Sequence, residues 1–216
     1  MKRESLIAGK MGETALSVSP HIRSRGRELL NMFPAFGLPA VKSFGNIRAD
    51  RKVRVRGRRV GMDITWLDDQ IAMGGGIWHA ENMAAVAQKG ITHIINMQIE
   101  FPDDALLAKP YGIEVCWNPV DDDFKKKNPE VFARGVKFAL AALEDPKAKL
   151  FIHCAAGVHR APMMALALLA VMGMEKGQTV QQALDDARDL IETKRAVADF
   201  AEVYVESVEA FLYGRG

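Results

Sequence analysis

The rhythm of apolar and polar positions changes several times along this chain, and the changes mark its elements. Asp63 to Gly75 holds two short apolar runs on either side of Asp68 and Asp69, which predicts two strands around a turn rather than a pair of catalytic acids. His79 to Gln88 has helical spacing and stops at Gly90. Ile91 to Met97 is rich in β-branched residues and predicts a buried strand; Gly112 to Trp117 predicts the next. Between them, Pro102 and Asp103 suit a helix start within Glu100 to Leu107. Asn128 to Leu143 predicts an amphipathic helix, with Asn128 as cap, Pro129 in the first turn, and Val131, Phe132, Val136, Ala139 and Leu143 along one stripe. Leu150 to His153 reads as a central strand, and the apolar run Pro162 to Met174 as a buried helix. Two further helices are expected over Thr179 to Ile191 and roughly Ala196 to Leu212. Strands separated by helices in this way call for an α/β fold: a single layered domain with a mostly parallel twisted sheet of about five strands flanked by helices.

Upstream of residue 62 the alternation is missing. Residues 1–20 carry no sustained period. His21 to Phe33 predicts a short basic helix that ends before Pro34. Met32 to Val41 is apolar but broken by Pro34, Gly37 and Pro39, so it predicts a segment lying along a groove rather than a long helix. Lys52 to Arg56 alternates with period two, as an edge strand, a hairpin arm or a solvated basic linker would. Charge sharpens the boundary. Residues 1–60 hold 14 of the 29 Lys and Arg but only 4 of the 27 Asp and Glu, which leaves 15 basic and 23 acidic residues for the rest. A basic N-terminal extension, 1–60, is therefore expected ahead of a compact acidic domain, 61–216, with residues 42–59 a candidate contact for an anionic surface or an acidic partner.

Composition narrows the function classes. Two cysteines in 216 residues argue against a disulfide scaffold and for a reducing compartment. The first residues contain no apolar signal core, and the longest apolar stretch, Ala161 to Met174, is too short to span a bilayer. A cytoplasmic location is the expectation, with no transmembrane segment. The five histidines are scattered, none at zinc-ligand spacing with cysteines or carboxylates, so neither a metal nor another cofactor is expected.

The chemistry concentrates in His153 to Pro162, HCAAGVHRAP, between the predicted central strand and the apolar helix. Strand, tight glycine-containing loop and helix form an arrangement that aims backbone N–H groups at an anion. Cys154 opens the loop and Arg160 closes it, with five residues between. The loop amides, the helix N-terminus and the Arg160 charge would stabilise a thiolate at Cys154. The guanidinium fork takes two phosphate oxygens at once. Ala155, Ala156, Gly157, Val158, His159 and Arg160 thus form a candidate phosphate cradle, with Gly157 allowing the tight turn. Cleavage of a phosphate monoester also needs an acid on a different loop. Pro119 to Asp123, PVDDD, follows a predicted strand and offers Asp121, Asp122 and Asp123.

The C-x5-R loop, preceded by His153, resembles the active-site loop of the cysteine-dependent phosphatases, and the short chain resembles their dual-specificity branch over about residues 62–212. The resemblance implies a phosphocysteine intermediate on Cys154, with Arg160 binding phosphate. It singles out Asp122, 32 residues before Cys154, as the acid, with Asp121 and Asp123 as rivals. It also implies supporting roles for His153, which orients the loop, and for Asn96, which braces it. Ala161 departs from the common Ser or Thr after the arginine, whose hydroxyl helps the sulfur leave. Here Arg-Ala-Pro is similar to the phosphatases of regenerating liver, although the C-terminal FLYGRG has no prenylation box. Cys116 is expected in the core rather than as a redox partner. His159 either adds positive charge for substrates with several phosphates or points to solvent. Phosphoproteins are the first substrate class expected. Phosphoinositides or other phospholipids and metabolites come second. A slow-turnover phospho-ligand binder or scaffold, suggested by Ala161, comes third.

Overall fold

A computed structural model describes residues 61–102 and 104–215. The expectations for residues 1–60 lie outside the described residues. Five strands, β1 (Ile64–Trp66), β2 (Ile71–Gly74), β3 (His93–Gln98), β4 (Glu114–Val120) and β5 (Leu150–His153), form one sheet in the order β1-β2-β5-β3-β4. The β1–β2 pair is antiparallel and the other three pairs are parallel. This is the mostly parallel sheet that the sequence predicts. The Asp68 turn behaves as its residues dictate: Asp68 Oδ1 accepts from the N–H groups of Gln70 at 2.8 Å and Ile71 at 2.6 Å.

The sheet is buried on both faces, as parallel strands require. Ile71, Met73, Ile95, Met97, Leu150 and Ile152 face a large cluster with helices α3 (Pro129–Leu143), α4 (Arg160–Glu175), α5 (Val180–Lys194) and α6 (Glu202–Tyr213). The alternate residues Ala72, Ile94 and Phe151 face a smaller cluster with Met83 and Val86 of α1 (Ala80–Gln88) and Ala108 of α2 (Asp104–Ala108). Helix α4 is apolar all round and buried without interruption from Arg160 to Leu168, the signature of a helix enclosed by its neighbours. The Asn128 side chain accepts from Glu130 N–H at the start of α3, and Thr179 and Gln182 form a reciprocal capping box at the start of α5. Each such cap contributes about 1 kcal/mol.

Three boundaries differ from expectation, and each difference shapes the site. Helix α4 starts at Arg160, two residues before the apolar run, because Pro162 fits a first turn whose N–H groups have no helical partner. Glu100 lies in an irregular loop ahead of the short helix α2 rather than in a helix. Residues 196–201 are not helical, and α6 begins only at Glu202. That segment is tied to the loop after β5: Asp199 N–H donates to Val158 C=O at 2.8 Å, and Arg195 Nε to Gly157 C=O at 2.7 Å.

Candidate active site

The site lies beyond the carboxyl ends of the parallel strands, where such sheets leave a crevice. Strand β5 ends at His153, and Cys154 follows, 1% exposed. The loop from Cys154 to Arg160 owes its shape to where its carbonyls go. Gly76 N–H donates to Ala155 C=O at 2.9 Å, Arg195 Nη2 to Ala156 C=O at 3.3 Å and Nε to Gly157 C=O, and Asp199 N–H to Val158 C=O. Four consecutive carbonyls thus point outward to partners. In a planar trans peptide the following N–H points the opposite way, so the amides of residues 156–159 turn inward. One of them, Gly157 N–H, donates to Cys154 Sγ at 3.3 Å. Gly157 has φ +66°, and a Cβ there would lie 2.5 Å from the Gly74 backbone and from Arg195 Nη2. No other residue fits this turn.

Arg160, the first residue of α4, is 4% exposed. Its Nη1 and Nη2 donate to the two carboxylate oxygens of Glu100 at 2.7 and 2.8 Å, and Nη1 also donates to Val120 C=O at 3.2 Å. The Glu100 carboxyl is held down at about 2, chiefly by these guanidinium hydrogen bonds. Burial opposes the Arg160 charge, but Glu100, Cys154 and Asp122 more than offset it, so the guanidinium holds its proton more firmly than an ordinary arginine. Nε is buried and makes no hydrogen bond among the described residues; Asp122 Oδ2 lies 3.5 Å away.

The three aspartates after β4 have different surroundings. Asp121 is exposed. Asp123 pairs with Lys127 and Lys125, and the Lys127 hydrogen bond above all holds its carboxyl at about 2. Asp122 faces the loop after β5: Oδ2 lies 3.3 Å from His159 Nδ1, and Oδ1 accepts from the Tyr204 hydroxyl at 3.1 Å. The same hydroxyl accepts from Phe124 N–H at 2.9 Å. Phe124 takes φ +54°, a left-handed backbone that few non-glycine residues adopt. Its ring stacks on Tyr204 and meets His159 edge-on at 5.0 Å.

His153 is fully buried, stacked on Phe151 at 5.4 Å, and sits in the ladder between Gly74 and Asn96. The Asn96 side chain turns to the loop after β3. It donates to Phe101 C=O and accepts from Gln98 N–H, both at 2.8 Å, and so braces the loop that carries Glu100. Ala161 is fully buried, and Cys116 is half-buried on β4, where burial raises its thiol pKa. Five contributors escaped the sequence reading: Glu100, Tyr204, Asp199, Arg195 and Asp63. Arg195, 5% exposed, donates to both oxygens of Asp63, from Nη1 at 2.9 Å and Nη2 at 2.6 Å, and also to Thr65 Oγ1 at 3.0 Å. The Arg195 hydrogen bonds lower the Asp63 pKa, against a smaller opposing effect of burial. No local pattern announces these residues, because each acts on a partner distant in the chain.

Residues 76–200, more than half of the chain, match the dual specificity phosphatase catalytic domain. The chain belongs to that family. Human dual specificity protein phosphatase 13B is 30% identical over 119 residues, covering 50% of this chain and 58% of the relative; the match thus spans less than two thirds of that protein. Solved dual-specificity phosphatases and their kin share the fold. PTPMT1 in complex with PI(5)P has a TM-score of 0.58 at 18% identity, covering 70% of this chain and 95% of that one. A mouse putative dual specificity phosphatase complexed with zinc tungstate has a TM-score of 0.54 at 16% identity, covering 80% and 94%. The matched region contains Cys154, Arg160 and Arg195, whereas Asp63 lies outside it.

Proposed function

We propose that this domain hydrolyses phosphate monoesters through a phosphocysteine, with phosphotyrosine and phosphoserine or phosphothreonine proteins as its substrates. In the first step Cys154 Sγ attacks phosphorus, the bond to the leaving oxygen breaks, and Asp122 gives that oxygen a proton. In the second, water attacks phosphorus, its proton goes to Asp122, and the sulfur leaves as a thiolate with release of inorganic phosphate. The inward amides of residues 156–159 and the Arg160 guanidinium carry the oxygen charges throughout. The observation that carries this reading is the loop itself: every carbonyl from Ala155 to Val158 is drawn outward, and an amide donates to a buried sulfur. Membership of the phosphatase family supports it. Among the three aspartates, Asp122 faces the loop while Asp123 is neutralised by lysines.

Three variants test the reading. Cys154→Ser should abolish hydrolysis of an activated aryl phosphate and keep the fold, since a serine hydroxyl is far less ionised than a thiol. Arg160→Lys should fail nearly as badly, because a point charge cannot replace the fork. Asp122→Asn should slow a tyrosyl or alkyl phosphate much more than an activated aryl phosphate. Turnover by Cys154→Ser, or a leaving-group effect in Asp121→Asn or Asp123→Asn instead, overturns the assignment.

A second reading, a phosphoinositide or other phosphorylated lipid as substrate, is supported by the basic excess of residues 1–60 and by the PI(5)P complex of PTPMT1. Parallel assays of phosphopeptides and phosphoinositides decide between them. Among the described residues no helix is long and apolar enough to cross a membrane. The need of the thiolate for a reducing compartment supports a cytoplasmic location, which fractionation tests.

A further inference from the structure

His159 occupies the last loop position before Arg160, and its ring joins three parts of the site. Nδ1 lies 3.3 Å from Asp122 Oδ2, Nε2 lies 3.4 Å from Asp199 Oδ2, and the Phe124 ring closes one side. The imidazole is 22% exposed, Asp122 30% and Asp199 64%. Asp199 is itself anchored on the loop through its N–H on Val158. A carboxylate on Nε2 favours the tautomer that carries its hydrogen there, and so turns the other nitrogen to Asp122. The Tyr204 hydroxyl, pushed up to about 12 chiefly by burial, stays a donor to the other Asp122 oxygen across the working range. The remaining charged or titratable groups near the ring are the Arg160 guanidinium, with Nε 3.5 Å from Asp122, the Cys154 sulfur that opens the loop, and Asp123, already neutralised by Lys127.

We propose that His159 is a positioning residue for the general acid: Asp122 and His159 hold one proton between them and work as a single acid oriented by Asp199. The inference rests on the reading of Asp122 as the acid. The pair is competent while it carries that proton, on Oδ2 or Nδ1. When the bond from phosphorus to the leaving oxygen breaks, its electron pair goes to that oxygen, which takes the proton from Asp122. A carboxylate beside a neutral imidazole remains. Attack of water in the second step returns one proton to the pair. With Nδ1 3.3 Å from the carboxylate, the imidazole gives the shared proton a second place to sit, so the pair gives it up less readily than a lone carboxyl would. The device therefore extends acid catalysis toward neutral pH.

The test measures pH profiles of kcat/KM for a tyrosyl phosphate and for an activated aryl phosphate, using the full chain. His159→Gln should move the alkaline limb for the tyrosyl phosphate down by about one to two pH units, and at neutral pH it should lower kcat/KM for the tyrosyl phosphate relative to the activated substrate. Asp199→Asn should shift the limb the same way by less. Asp122→Asn serves as the control on the acid itself. If it leaves the two substrates equally affected, the acid assignment falls. If it separates them while His159→Gln leaves the limb in place, or slows both substrates alike, the pairing is overturned and His159 is only structural. Should His159→Gln fail to fold, proton resonances of the imidazole decide: the His159 midpoint should drop in Asp122→Asn, and an unchanged midpoint refutes the coupling.

Discussion

At the scale of single residues, Ala161 sets the expected speed of the second step. In the proposed mechanism the sulfur leaves there as a thiolate, and Ala161 carries no hydroxyl that could donate to it. The donor on sulfur in this loop is Gly157 N–H at 3.3 Å. A second, charge-assisted donor contributes about 1.5–3 kcal/mol, which corresponds to roughly tenfold to a hundredfold in rate. Rapid mixing with an activated aryl phosphate should show a burst near one equivalent, then slow turnover. Ala161→Ser should raise the steady rate and shrink the burst; an unchanged steady rate would mean that the Gly157 amide suffices. Features whose geometry is local, such as the tight loop after β5, its turn at Gly157 and the Asp68 turn, could be read from the sequence, because type and spacing suffice for them. Glu100 and Arg195 could not. A surface carboxylate and a buried guanidinium look alike in sequence until the fold brings their partners across 60 residues in one case and 132 in the other.

At the scale of elements, the loop after β5 is held in place by two guanidinium–carboxylate pairs, one at its end through Arg160 and one at its middle through Arg195. The Glu100–Arg160 pair makes part of the stability pH-dependent. The folded-state pKa of Glu100 is lowered, so its contribution is complete above the ordinary value of 4.5 and is lost as pH falls toward about 2. The stability gap between wild type and Glu100→Gln, measured by thermal unfolding, should be constant near neutrality and close between those two values. A gap independent of pH would mean that the pair contributes nothing in solution. On the other side, Arg195→Met leaves Asp63 and two loop carbonyls without their donor. Water still reaches the Asp63 carboxylate, 54% exposed, but a buried acceptor left without its donor costs about 1–3 kcal/mol, so urea unfolding should show a loss of that order, together with weaker binding of an oxyanion such as tungstate. The sequence predicted the helices and strands, because hydrophobic periodicity encodes them. It misjudged residues 196–201, where hydrogen bonds to the loop override helical spacing.

At the scale of the molecule, charge is divided unevenly along the chain. The described domain has its own two-faced core, while the basic excess lies in residues 1–60. Deleting those residues should leave turnover of a small aryl phosphate nearly unchanged and weaken binding to anionic vesicles, measured by co-sedimentation. Loss of the fold on deletion would assign the apolar segment Met32 to Val41 to the core. The Asp63–Arg195 pair also bears on how the protein is made. Closing a contact between residues so far apart carries a large loop entropy and tends to come late in folding. A chain leaving the ribosome presents Cys154 well before Arg195, and until that guanidinium docks, nothing draws the Ala156 and Gly157 carbonyls outward. The amides that turn toward the sulfur are therefore assembled only when the two ends of the domain have met, and the nascent chain carries no finished anion cradle until Arg195 has emerged.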